Sequence, residues 1–144
     1  MLQTNRTLYH LSISKTGMCR KATLQIAQAL LANSDIKLDW LDMQRNSFSI
    51  AGEKALAEYF SSYSGLEMLD LENCGIGKTI EGMTPLLKSL LPHAESGHLS
   101  LIWLRRNFIR TDSSVGALCK IIKGGITLKV DEINPTSSVF SSRR

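Results

Sequence analysis

The chain has 144 residues, 43% of them apolar and 21% charged, which suits one domain around a continuous core and excludes a disordered or collagen-like polymer. No apolar run is long enough to cross a bilayer and no charged-then-apolar signal peptide opens the sequence. A cytoplasmic protein is therefore expected, with an organelle as the alternative. The formal charge of +4 hides three zones. Residues 1–34 hold four basic and no acidic residues, residues 35–100 five basic and ten acidic, and residues 101–144 eight basic and three acidic. Such zoning favours a partner with complementary patches over a uniform polyanion, which argues against nucleic acid. Cys19, Cys74 and Cys119 are odd in number and widely spaced, so no disulfide framework is expected.

In chain order, Leu8-Tyr9-His10-Leu11-Ser12-Ile13-Ser14-Lys15-Thr16 alternates as a strand does and is followed by a helix-spaced run, Cys19–Leu31. Arg6, Lys15, Arg20 and Lys21 without any acid match the composition of a mitochondrial presequence. The same stretch holds a regular strand and helix, so it is read as part of the fold. A second strand falls at Leu38–Met43, and its helix carries Ala55, Leu56, Tyr59 and Phe60. A third falls at Leu66–Leu71, with a helix around Ile80–Leu91 that Pro92 is expected to end. His93–His98 then reads as an inserted surface loop. The fourth strand, Leu99–Leu104, precedes a helix near Ser113–Lys123, and a weaker fifth strand lies at Gly125–Val130. Asn134-Pro135 ends the pattern, which gives a domain over residues 1–134 and a flexible Ser/Arg tail over 135–144.

The strands share one phrase. Leu66-Glu67-Met68-Leu69-Asp70-Leu71-Glu72-Asn73-Cys74-Gly75-Ile76 reads L-x-x-L-x-L-x-x-C-x-I. Leu38–Phe48 and Leu99–Ile109 repeat it with Asn46 and Asn107 at the place of Cys74. The central positions Leu11, Leu41, Leu69, Ile102 and Leu128 are 30, 28, 33 and 26 residues apart. Strand side chains alternate faces, so Leu41 and Met43, Leu69 and Leu71, and Ile102 and Leu104 should point inward. The short polar or thiol side chain after each strand should satisfy backbone groups that leave the ladder.

This phrase, with a full helix returning each coil, resembles the ribonuclease-inhibitor-like class of leucine-rich repeats over about residues 8–133. Relatives in that class include the Ran GTPase-activating proteins, the repeat domains of NOD-like receptors and the tropomodulins. The resemblance implies an α/β solenoid of four to five coils. It would be a short right-handed horseshoe, with a parallel sheet on the concave side and helices outside. The chain departs from most members in being short and in lacking an obvious polar cap at either end.

Residues between the inward positions should line the concave face in three columns: His10, Trp40, Met68, Leu101 and Thr127; Ser12, Asp42, Asp70, Trp103 and Lys129; and Ser14, Gln44, Glu72, Arg105 and Asp131. Trp40, Met68, Leu101 and Trp103 would form an apolar patch flanked by Asp42, Asp70, Glu72, Arg105 and Arg106. Aromatic, Met and Arg side chains on an otherwise polar face are the usual make-up of an interface core. The binding residues are therefore expected to be Trp40, Asp42, Met68, Asp70, Glu72, Trp103 and Arg105.

Other chemistry has little support. Gly75-Ile76-Gly77-Lys78-Thr79 looks like the end of a phosphate loop, but Glu72 stands where the motif needs its first glycine. The three histidines are scattered without ligand spacing, so no metal, and no other cofactor, is expected. Asp42 and Asp70 side by side suggest acid/base chemistry only if a cleft excludes water. The expectation is a non-catalytic protein–protein interaction module with neither a small-molecule substrate nor a membrane span. A structural subunit of a larger, even organellar, assembly is the alternative. The resemblance to Ran GTPase-activating proteins adds a small-GTPase regulator, although the basic tail departs from that family's acidic one.

Overall fold

The structure, a computed structural model, describes residues 2–109, 112–123 and 125–129. Strands and helices alternate: β1 (His10–Ser12), α1 (Arg20–Leu31), β2 (Trp40–Asp42), α2 (Ile50–Ser61), β3 (Met68–Asp70), α3 (Ile80–Ser89), α4 (Leu91–Glu95), β4 (Leu101–Trp103), α5 (Asp112–Ile122) and β5 (Thr127–Lys129). The five strands form one parallel sheet in the order β1-β2-β3-β4-β5. Its central row is Leu11–Leu41–Leu69–Ile102–Leu128. The fold is thus α/β, with spatial order copying sequence order.

Each strand is only three residues long, but the backbone ladder continues past it. Ile13 and Lys15 donate to Asp42 and Gln44, Met43 and Arg45 to Asp70 and Glu72, and Leu71 and Asn73 to Trp103 and Arg105, all at 2.8–2.9 Å. At the end of this ladder the chain turns through a left-handed residue at the same place in four successive strands. These residues are Lys15, Arg45, Asn73 and Arg106, with φ of +55° to +58°.

The next residue stitches neighbours together. Asn46 Oδ1 accepts from the Met18 N–H (2.9 Å) and the Thr16 hydroxyl (3.0 Å), while its Nδ2 donates to the carbonyls of Ile13 (2.9 Å) and Met43 (3.0 Å). Asn107 repeats the arrangement one step on, accepting from Cys74 and Ile76 (3.1 Å each) and donating to Leu71 (2.7 Å) and Leu104 (3.1 Å). Cys74 has a thiol in that place, and it donates to the Met43 carbonyl at 3.1 Å.

The inward strand residues Leu41, Met43, Leu69, Leu71, Ile102 and Leu104 are buried, as are Leu38, Leu66 and Leu99, which begin each phrase. The helices cover this side of the sheet, with α1 packed on α2, α2 on α3 and α3 on α5, and with the short α4 between α3 and α5. In α1, Thr23, Ala27 and Leu30 make the buried face at helical spacing. In α2, Ser49 caps the N-terminus by accepting from the Gly52 N–H at 3.1 Å. Tyr59 on α2 reaches back to the segment that leads into β2, accepting from the Leu38 N–H (3.1 Å) and donating to the Ile36 carbonyl (3.2 Å).

The third helix differs from expectation. It ends at Ser89, and Pro92 sits in the first turn of the short helix α4, where a missing N–H costs nothing. Of the expected surface loop His93–His98, Ser96–His98 is an exposed turn, whereas His93 and Ala94 are buried in α4. His93 is fully buried: Nδ1 accepts from the Leu66 N–H at 2.9 Å and Nε2 faces the Phe60 carbonyl at 2.8 Å. An imidazole with the proton on Nε2 satisfies both backbone groups. Cys19 also differs, serving as the exposed N-cap of α1 and not as a helical residue. The tail over 135–144 lies outside the described residues.

Candidate functional site

Residues flanking the central row of the sheet point to the face that the helices leave open. Two rows run across it by strict register. One is His10–Trp40–Met68–Leu101–Thr127 and the other is Ser12–Asp42–Asp70–Trp103–Lys129. In the first row Trp40 is 40% exposed, while Met68 and Leu101 are half-buried. The His10 ring meets Trp40 edge-on, with centroids 5.6 Å apart. Trp103 lies half-buried in the second row, beside Asp70 and on the same strand as Leu101. Neither indole is enclosed.

The carboxylates are less open than a solvated row would be. Asp42 is only 9% exposed, since Ser12 Oγ donates to one of its oxygens (3.0 Å) and the Gln44 N–H to the other (3.1 Å). Asp70 is half-buried and repeats the pattern, receiving the Glu72 N–H at 2.9 Å and the Gln44 side-chain amide at 3.1 Å. Both carboxylates thus also close the turn after their strands, as aspartate does through its own backbone two residues on. Burial pushes the Asp70 carboxyl above its ordinary range, the Glu72 N–H opposes this, the neighbouring Asp42 and Glu72 charges add to the rise, and the Lys15 charge counters it. Among the described residues no lysine or arginine lies within ion-pair distance of Asp42 or Asp70.

The third column does not belong to the strands. Ser14, Gln44, Glu72 and Arg105 lie in the turns beyond them, with Glu72 half-buried and Arg105 exposed; Asp131 lies outside the described residues. The face is therefore stratified. An apolar and aromatic row comes first along the strands, then an acidic row closed at β4 by Trp103. A rim follows that carries Lys15, Arg45, Arg105 and Arg106.

No family model, curated protein or solved structure matches the chain. Its geometry has to carry the functional argument.

Other sites carry less. Among the described residues no group of three or more His, Cys, Asp or Glu side chains could hold a metal ion, and no helix is long and apolar enough to cross a membrane. Gly75–Thr79 forms the turn into α3, where Gly77 has φ +80° and a Cβ would meet Met83 Cε at 2.6 Å. An anion there would lie near Glu53, a carboxylate on α2 that is only 2% exposed and has one oxygen without a hydrogen-bond partner. Burial lifts Glu53 to about 7, against the pull of the Gly77 N–H and the Lys78 charge. The sequence carried one signal of this residue: Glu53 occupies the apolar stripe of α2 with Leu56 and Phe60, where a charge is out of place.

Proposed function

We propose that this chain is a small leucine-rich repeat solenoid of the ribonuclease-inhibitor-like class that binds a protein partner, without catalysis, through the open face of its sheet. Supporting the repeat reading are the recurring phrase, the left-handed residue at one fixed place in four coils, and the corner side chains that link each coil to the last. The observation that carries the function is the continuous row of Trp40, Met68 and Leu101, with Trp103 beside it, next to two carboxylates that have no lysine or arginine within ion-pair distance among the described residues. Exposed aromatic and Met side chains in a contiguous patch mark interaction surfaces more often than scattered apolar residues do. An open face does not exclude water, so the half-buried Asp70, with Asp42 as its register neighbour, is suited to charge recognition and not to acid/base chemistry.

The test is a pull-down from cell extract with the wild-type chain and with Trp40→Ala/Trp103→Ala. Loss of a specific partner in a double variant that melts as the wild type does supports the reading. Retention of every partner removes it.

A structural subunit is the second reading, and one observation favours it. Leu11, Ile13, Met18, Leu24 and Ile26, in the first coil, are only partly buried, whereas the corresponding strand and corner residues of the middle coils are enclosed. In that reading another chain covers this end, and the isolated protein aggregates unless its neighbour is co-expressed. Size-exclusion chromatography with light scattering separates the two readings.

A further inference from the structure

The two rows on the open face run perpendicular to the strands, and their spacing constrains what can lie on them. Neighbouring strands are about 4.8 Å apart, so five strands span about 19 Å. An α-helix presents a side chain on one stripe every turn, about 5.4 Å, and drifts from the strand spacing by only about 2.4 Å over four intervals. An extended segment presents same-side residues about 6.7 Å apart and falls out of step by about 7.6 Å over the same distance, more than one whole strand. Backbone satisfaction points the same way. The strand N–H and C=O groups are already used within the ladder. An extended segment pressed flat on this face would cover its own backbone groups without partners, whereas a helix arrives with them paired.

Charge narrows the choice further. Asp42 and Asp70 are register partners on adjacent strands and lie one residue pair along from Trp40 and Met68; among the described residues no lysine or arginine is within ion-pair distance of either, and the Lys15 charge acts on Asp70 only from beyond it. We propose that the occupant of this face is an amphipathic α-helix of the partner lying across the strands, with its apolar stripe on Trp40, Met68 and Leu101 and two basic side chains one turn apart over Asp42 and Asp70. This rests on the reading of the face as a protein-binding surface. Trp103 interrupts the acidic row at β4, so the two basic residues belong to the end of the helix over β2 and β3. Burial of Asp70 already disfavours its charge, and an arriving cation relieves that penalty.

Three synthetic helical peptides of about four turns, free of tryptophan, test this. The first has a Leu stripe and two Lys at i and i+4 on its flank, the second replaces those Lys with Glu, and the third keeps the first composition but has a central Pro that breaks the helix. Trp40 and Trp103 are the chain's two tryptophans and both lie on this face, so their fluorescence reports occupancy directly. The expected result is at least tenfold tighter binding of the first peptide than of either other, weakening with salt, with the charge preference erased in Asp70→Asn. Equal affinity for the Lys and Glu peptides, equal affinity for the Pro peptide, or no binding of the first overturns the proposal. If the basic helix fails while the cellular partner still depends on Trp40 and Trp103, the helical occupant falls and the protein-binding face stands. If the partner too is indifferent to both tryptophans, both fall.

Discussion

The carboxylate of Glu53 on α2 fills the space where a side chain at Gly82 on α3 would begin: a Cβ there would lie 2.8 Å from Glu53 Cδ. The two residues belong to successive helices and are fitted to each other. Gly82→Ala gains about 0.5–1 kcal/mol of helix propensity but forces the buried carboxylate aside, so a net loss of about 1–2 kcal/mol is expected. Adding Glu53→Ala should recover part of that loss, a coupling that urea denaturation of the single and double variants measures.

The same carboxylate predicts a pH dependence. Glu53 titrates near 7 in the folded chain against an ordinary 4.5, so the folded state holds its proton where the unfolded state has lost it. Stability from this group is complete below about pH 4.5, falls as pH rises towards about 7, and is level above. Glu53→Gln removes that fall and should exceed the wild type by about 2–3 kcal/mol at pH 8 while gaining little at pH 4.5. Denaturation midpoints at the two pH values decide it; a gain independent of pH would count against this account.

His93 gives the opposite limb. Burial holds its pKa below the ordinary 6.5, the Phe60 carbonyl opposing, and Nδ1 already accepts the Leu66 N–H, so a second proton has no place. The unfolded chain takes that proton as pH falls through about 6.5, and stability drops there. His93→Leu should cost about 2–4 kcal/mol at neutral pH by leaving the Leu66 N–H and Phe60 carbonyl unpaired, and should flatten the decline between pH 6.5 and 5.5. Thermal melts across that interval are the measurement.

The corner residues should differ in worth. Asn46 makes hydrogen bonds to three groups of the segment that follows β1 and to two carbonyls of its own, whereas the Cys74 thiol has one hydrogen to give. Asn46→Ala is expected to cost about 3 kcal/mol and Cys74→Ala about 1–2 kcal/mol. Equal losses in equilibrium unfolding would show that the corner works by shape and not by hydrogen bonding.

The thiols divide by environment. Backbone N–H groups of the first turn of α1 lower the exposed Cys19 thiol, led by that of Ala22, whereas burial drives Cys74 up to about 12. Iodoacetamide at neutral pH should alkylate Cys19 and the exposed Cys119 in the folded chain and reach Cys74 only on unfolding. Mass spectrometry with and without denaturant counts the adducts.

Much of the sheet was legible because its information is local. Alternation within Leu38–Met43 or Leu66–Leu71 sets which side chains face inward, and the shared phrase sets which residue of one strand meets which of the next, so the Trp40–Met68 and Asp42–Asp70 pairings follow from spacing. Depth was not legible. Asp42 looks like an open carboxylate in sequence, but Ser12 and the Gln44 N–H close over it. His93 was hidden for a different reason. It sits in a polar run beside Ser96, Gly97 and His98 that reads as a loop, and its partners at Leu66 and Phe60 are 27 and 33 residues away. Glu53 did leave a mark, a charge in the apolar stripe of α2, but the glycine on α3 that makes room for it is 29 residues away.

Because strand order copies sequence order, each strand pairs only with the strands before and after it and the long helices pack in the same succession, α1 on α2, α2 on α3 and α3 on α5. Under tension applied at the termini, no strand pairing among the described residues joins β1 to β5, and the load falls on one interface at a time. Such a chain peels. Its force–extension trace is a series of similar steps, each releasing roughly one strand-to-strand interval of chain, and not one cooperative rupture.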